Sequence, residues 1–144
     1  MGNRAVVVFT DGGKYSPSVY LHWGGSSIPA LLAAVRERMG GREGDLDYTA
    51  ARFIGLVHET TPGNLSLGVS NLDATDIDAL RAAKPGYGSG LPMCCGDAGV
   101  FVVNVKTWTV QRLSGRLGDC DAPRVFQAGR VEFSAEELAT MGEQ

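Results

Sequence analysis

Apolar and polar positions alternate in short blocks along this chain, and the blocks predict both strands and helices. Residues 4–10 (RAVVVFT) form a β-branched run closed by Asp11-Gly12-Gly13, which predicts a strand ending in a turn. Residues 18–23 (SVYLHW) alternate Val19, Leu21 and Trp23 against Ser18, Tyr20 and His22, the pattern of a strand with one apolar face. The connection between them is too short for a parallel crossover, so the two are expected to pair as an antiparallel hairpin, with Gly24-Gly25 ending the second strand. Ser26-Ser27 then offers an N-cap and Pro29 a first-turn position. Ile28, Leu31, Leu32, Val35 and Met39 make one helical stripe, stopped by Gly40-Gly41.

A second helix is expected from Asp45 or Asp47 to about Thr60. Leu46, Tyr48, Ala50, Ala51, Phe53, Ile54, Leu56 and Val57 go nearly all round it, which predicts a central helix covered on most sides. Leu65, Leu67 and Val69 alternate as a third strand. Thr75 with Asp78 resembles an acidic capping box opening a short helix that Pro85 ends. Residues 87–96 (YGSGLPMCCG) read as a glycine/proline loop, residues 99–105 as a buried strand, and residues 108–113 as its antiparallel partner. Residues 125–133 predict one more strand, and Ser134 with Glu137 a capping box for a last helix. Strands arriving in hairpins between helices predict an α+β fold in a single domain over residues 1–144. Its sheet should be antiparallel or mixed, with helices mainly on one face.

Composition narrows the function more than it names it. Apolar residues make up 44% and charged residues 20%, as in ordinary globular domains. The net charge of −3 lacks the clustered positive charge of a nucleic-acid footprint, so no direct nucleic-acid binding is expected. No apolar run approaches the roughly 18 residues of a membrane span. The opening Met1-Gly2-Asn3-Arg4 enters its apolar run at once, too soon for a secretory signal. Three cysteines, two of them adjacent, make no disulfide framework. A reduced, cytoplasmic protein is the expectation.

Complete catalytic motifs are missing from the pattern. Neither phosphate-loop spacing occurs, and Gly86-Tyr87-Gly88-Ser89-Gly90 follows a helix stop rather than a strand. Cys94-Cys95 precedes a strand, without a helix dipole to activate a thiol, and Cys120 stands apart, so no metal site and no cofactor are expected. The pairs Asp45/Asp47 and Asp76/Asp78 sit at helix starts, where the dipole explains them. What remains is a candidate ligand or acid–base site at the end of the first hairpin. Gly24 and Gly25 lead into a helix N-terminus able to receive an anion, His22 brings an imidazole, the side chain most often used for acid–base work, and Asp11, Lys14 and Tyr20 are candidates to line it, joined by Arg52 or His58. The ordinary alternatives are a cross-strand hydrogen bond for His22 and a helix-end role for His58.

Residues 1–7 (MGNRAVV) and then 19–25 (VYLHWGG) resemble the N-terminal signature of a family of small proteins encoded by bacterial phages, plasmids and integrated elements. The likeness continues through residues 48–53 (YTAARF), 65–69 (LSLGV) and 97–103 (DAGVFVV). The glycine/proline stretch between Pro85 and Gly96 departs from it and leaves Cys94 and Cys95 outside the shared part. The resemblance carries no catalytic residue with it. It implies a mobile-element context, in which small acidic proteins without catalytic motifs bind and block host machinery such as CRISPR or restriction complexes. Two expectations result: a non-catalytic protein that occupies the surface of a host protein complex, its acidic balance suiting basic partners, or a small hydrolase or nucleotide/anion-binding protein using the hairpin-end residues.

Overall fold

A computed structural model describes residues 3–60, 67–71, 75, 77–79, 97–113, 115 and 120–129. The architecture is α+β, built on a six-stranded mixed sheet. Its strands are β1 (Ala5–Thr10), β2 (Ser18–Leu21), β3 (Leu67–Ser70), β4 (Gly99–Asn104), β5 (Thr109–Leu113) and β6 (Val125–Gln127), in the order β3-β2-β1-β4-β5-β6. The hairpin forms as its sequence predicts, with Ala5 opposite Leu21 and Val7 opposite Val19. The central pair is parallel: β1 runs beside β4 from Ala5–Gly99 to Thr10–Asn104. The Arg4 guanidinium donates to both carboxylate oxygens of Asp97 at 3.1 and 3.3 Å, and the Arg4 N–H donates to Oδ2 at 2.9 Å, which locks the starts of these strands together.

β1 is buried at every position, which explains an unbroken apolar run in place of an alternating one. Ala5, Val7 and Phe9 face helices α1 (Ile28–Glu37) and α2 (Leu46–Thr60), and share one core with Leu32, Val35, Phe53 and Val57. The Phe9 and Phe53 rings meet edge to face at 5.4 Å between centroids. Val6, Val8, Val100 and Val102 point the other way and meet Ile77, one of the helical residues 77–79. The sheet is therefore covered on both sides. Ser18 is buried accordingly, its hydroxyl donating to the Ser70 carbonyl at 2.8 Å, and Tyr20 packs at the edge of the second core. The polar side of β2 is thus not a solvent face.

Several local expectations change for identifiable reasons. Trp23 does not continue the apolar face of β2, because the strand ends at Leu21 and the chain bends, leaving the tryptophan 46% exposed. Ser27 precedes α1 without a side-chain cap, since a short 3₁₀ turn over Gly25–Ser27 supplies the Gly25 carbonyl to the Ile28 N–H instead. α2 is amphipathic rather than central: Leu46, Ala50, Phe53, Leu56 and Val57 are buried, while Tyr48, Ala51, Gly55 and His58 are exposed. Its start is capped by Asp45, whose Oδ1 accepts from the Tyr48 N–H at 3.1 Å. On strand β3, at the end of the strand order, Leu67 packs partly against the main core while Val69 is 58% exposed, so the alternating face is only half covered at this edge. The last strand stops at Gln127, where the chain turns through Ala128 and Gly129, the glycine taking φ +79°. The loop at 87–96 with Cys94 and Cys95, and the helix expected from Ser134, lie outside the described residues.

Candidate functional site

The residues singled out in the sequence fall into separate places. Asp11 and Lys14 occupy the turn that joins β1 to β2, whereas His22, Gly24 and Gly25 come after β2 at the hairpin's other end, where the Asn3 N–H donates to the His22 carbonyl at 2.9 Å. Six strand residues separate the two ends, a distance of roughly 20 Å. These groups do not converge on one pocket. Arg52 and His58 belong to α2, and Arg52 is engaged at the end of α1.

At the turn, the Asp11 carboxylate accepts from the Gly13 and Lys14 N–H groups at 2.8 and 3.0 Å. Those bonds, the Gly13 one foremost, hold its carboxyl below the ordinary value. Lys14 stands 3.9 Å from Asp47 in an exposed ion pair. At the opposite end, Tyr20 Oη and His22 Nδ1 share a 3.0 Å hydrogen bond, and the His22 ring meets Trp23 edge-on at 4.8 Å. The two glycines there have steric work. A Cβ on Gly25 would sit 2.7 Å from the Ala98 Cβ and 2.8 Å from the Asn3 carbonyl, and Gly24 has φ +87°. The Gly25 and Ser27 N–H groups donate to the Asn3 and Gly24 carbonyls, so neither is aimed at an anion.

A more concentrated set of groups lies where α1, the turn after it and α2 meet. Tyr48, 44% exposed, projects from the first turn of α2. The Arg42 guanidinium covers its ring at 4.0 Å, and that of Arg52 stands 5.6 Å from the ring centroid. Arg52 Nη1 donates to the Arg38 and Met39 carbonyls at 2.8 and 2.9 Å, closing the end of α1. Arg38 in turn forks onto both oxygens of Glu59 at 3.1 Å. That hydrogen-bonded fork, more than the bare charge, lowers the Glu59 carboxyl and raises the Arg38 guanidinium from their ordinary values. Beside them a depression of about 370 Å³ is lined by Arg38, Arg52, Gly55, Leu56 and Glu59. Of this group, sequence reasoning singles out Arg52 alone. The i,i+4 spacing of Tyr48 and Arg52 on one helix is the available signal, while the Arg42 contact depends on the intervening turn.

A second polar groove runs along the other side of α1. Depressions of about 360 and 220 Å³ share Arg36 and Glu43 as lining residues. Arg36 donates from Nη1 to the Ala128 carbonyl at 2.6 Å, lies 3.7 Å from Glu43 and stands over the Trp108 ring at 5.6 Å. Arg112 is buried deeper in the sheet, its Nε donating to the Ala98 carbonyl at 2.7 Å and its Nη1 to the Ala122 carbonyl at 3.2 Å. These arginines tie strands and helix ends together. Among the described residues, no group of three or more His, Cys, Asp and Glu side chains is gathered as a metal would require, and no helix is long and apolar enough to cross a membrane. No family model, curated protein or solved structure matches the chain.

Proposed function

We propose that this chain is a non-catalytic binding protein that works by occupying the surface of a protein partner, and that the contact is made by the exposed α1–α2 junction. One observation carries the reading. Tyr48 is held out toward solvent while Arg42 at 4.0 Å and Arg52 at 5.6 Å restrict its ring. Tyrosine and arginine are the residue types that dominate binding energy at protein interfaces. A ring fixed before the encounter loses less side-chain freedom on binding. The resemblance of residues 1–7, 19–25 and 48–53 to proteins of phages, plasmids and integrated elements extends the reading to a host partner. On that basis the chain acts against a host defence complex of the CRISPR or restriction type. The hydrolytic or anion-binding alternative is the weaker one. Its candidate groups are split between two ends of the hairpin, and Gly24 and Gly25 already have a steric reason to be glycine.

The test compares the tagged chain with its Tyr48→Ala variant by quantitative affinity capture from a bacterial host. It is paired with a plasmid-transformation assay in cells whose restriction or CRISPR immunity is active. A partner enriched by the native chain should be depleted from the variant, and the native chain should lift immunity where the variant does not. Identical capture profiles for the two proteins would exclude this face as the contact. Immunity unchanged by the native chain would remove the counter-defence role.

A further inference from the structure

The α1–α2 junction has a charge pattern opposite to that of the whole chain, and the pattern points to what it contacts. The chain carries a net charge of −3, yet this junction gathers three guanidinium groups, Arg38, Arg42 and Arg52. Two carboxylates face them, Glu59 paired with Arg38 and Asp45 at 3.6 Å from Arg42. Among the described residues, Arg52 is the surplus cation of this junction. Its Nη1 is satisfied by the two backbone carbonyls at the end of α1, and its Nε and Nη2 donors make no hydrogen bond among the described residues. A guanidinium holding its remaining donors at the edge of a depression is suited to a carboxylate, whose two oxygens match its fork.

The depression has the size and floor for such a group. It is about 370 Å³ in volume and is bounded by Arg38, Arg52 and Glu59, with Leu56 beneath and Gly55 leaving its wall open. A Cβ placed on Gly55 would meet nothing within 4 Å, so packing does not demand glycine there. Mid-helix glycine is unfavourable relative to almost any other residue, and here its effect is to keep room beside Arg52. We propose that the Arg52 depression receives a glutamate or aspartate side chain from an acidic segment of a protein partner, with the Tyr48–Arg42 pair as the flat contact beside it. This rests on the binding role proposed above and adds the chemistry of the partner. A peptide fits better than a single-stranded nucleic acid, because base stacking needs an open aromatic face and Arg42 already lies over the Tyr48 ring at 4.0 Å.

The probe is fluorescein-labelled octaglutamate, monitored by anisotropy at low and moderate salt, with octaglutamine and oligothymidylate of similar length as controls. Octaglutamate should bind, should weaken as salt rises, and should weaken by about tenfold in Gly55→Leu, as expected when a central contact is blocked. Gly55→Leu fills the depression while improving helix propensity, so its circular dichroism and melting temperature should not fall. Arg52→Gln should weaken binding as well and serves as the second variant. Failure of octaglutamate to bind would overturn the proposal, as would binding indifferent to Gly55→Leu or oligothymidylate binding at least as tightly. A partner captured through Tyr48 that octaglutamate does not displace would overturn the acidic assignment while leaving the binding role intact. A capture profile indifferent to Tyr48→Ala would exclude this face as the contact.

Discussion

Trp108 has the most informative backbone in the molecule. It has φ +60°, the one non-glycine residue in the left-handed region among the described residues, and it is only 3% exposed. Its turn explains both facts. Asn104 Oδ1 accepts from the Lys106 and Thr107 N–H groups, and the Trp108 N–H returns to the Asn104 carbonyl at 2.6 Å, so the chain must reverse hand before entering β5. Glycine or asparagine usually stands at such a position. Here burial of the indole under Arg36 compensates for the strain. Trp108→Ala should therefore destabilise by about 3–5 kcal/mol, the usual loss for a large buried ring. Trp108→Gly loses the same ring and also relieves about 1–2 kcal/mol of left-handed strain, against about 0.4–1 kcal/mol of additional unfolded-state entropy. The glycine variant should thus be the more stable of the two, by about 0.5–1 kcal/mol. Urea unfolding monitored by circular dichroism measures the difference, provided the slopes agree. In an ordinary strand the order is reversed, with glycine about 0.5–1 kcal/mol worse than alanine. Finding that ordinary order would refute the account of this turn.

Two further outcomes are set by the geometry. Gly25→Ala should destabilise by about 1–3 kcal/mol, since its Cβ would overlap Ala98 and the Asn3 carbonyl. Gly24→Ala, with φ +87° but open space around it, should lose only the strain of about 1 kcal/mol; thermal melts of the pair showing equal losses would contradict the close approach. Asp11 and Glu59 both have folded-state carboxyls held below their ordinary values of 3.8 and 4.5, so their stabilisation is present above those values and disappears as pH falls through the lower folded ones. The acid limb of melting temperature against pH should therefore be shallower in the Asp11→Asn, Glu59→Gln double variant below about pH 4.5; an unchanged limb would show that other carboxylates govern it.

The sequence makes legible whatever is local. The β1–β2 hairpin, the Ile28–Met39 stripe and the Asp45 cap depend on neighbours within a few residues, and each forms with small shifts at its ends. The parallel pairing of β1 with β4 joins residues more than ninety positions apart, so no local period announces it. Its companion feature, the Arg4–Asp97 fork, is invisible for the same reason. The uniform burial of β1 does leave a trace, because a run without polar alternation asks for cover on both faces. The apolar count on α2 misleads in the opposite direction. Tyr48 and Ala51 count as apolar in a wheel, yet they face solvent, and Tyr48 finds its company in guanidinium groups instead of a core.

That misreading bears on function. A site assembled from sequence brings together residue types that perform chemistry and relies on a hairpin to gather them. An antiparallel hairpin instead places the residues of its turn and the residues beyond its second strand at opposite ends, apart by the full length of the strands. Asp11 and His22 are only eleven positions apart in the chain but roughly 20 Å apart in space. The residues that do converge, Arg38, Arg42, Tyr48 and Arg52, come from two helix ends and the turn between them, where i,i+4 spacing and a short connection bring side chains together. A surface assembled that way consists of planar, restrained side chains over a shallow depression, a form suited to holding another chain.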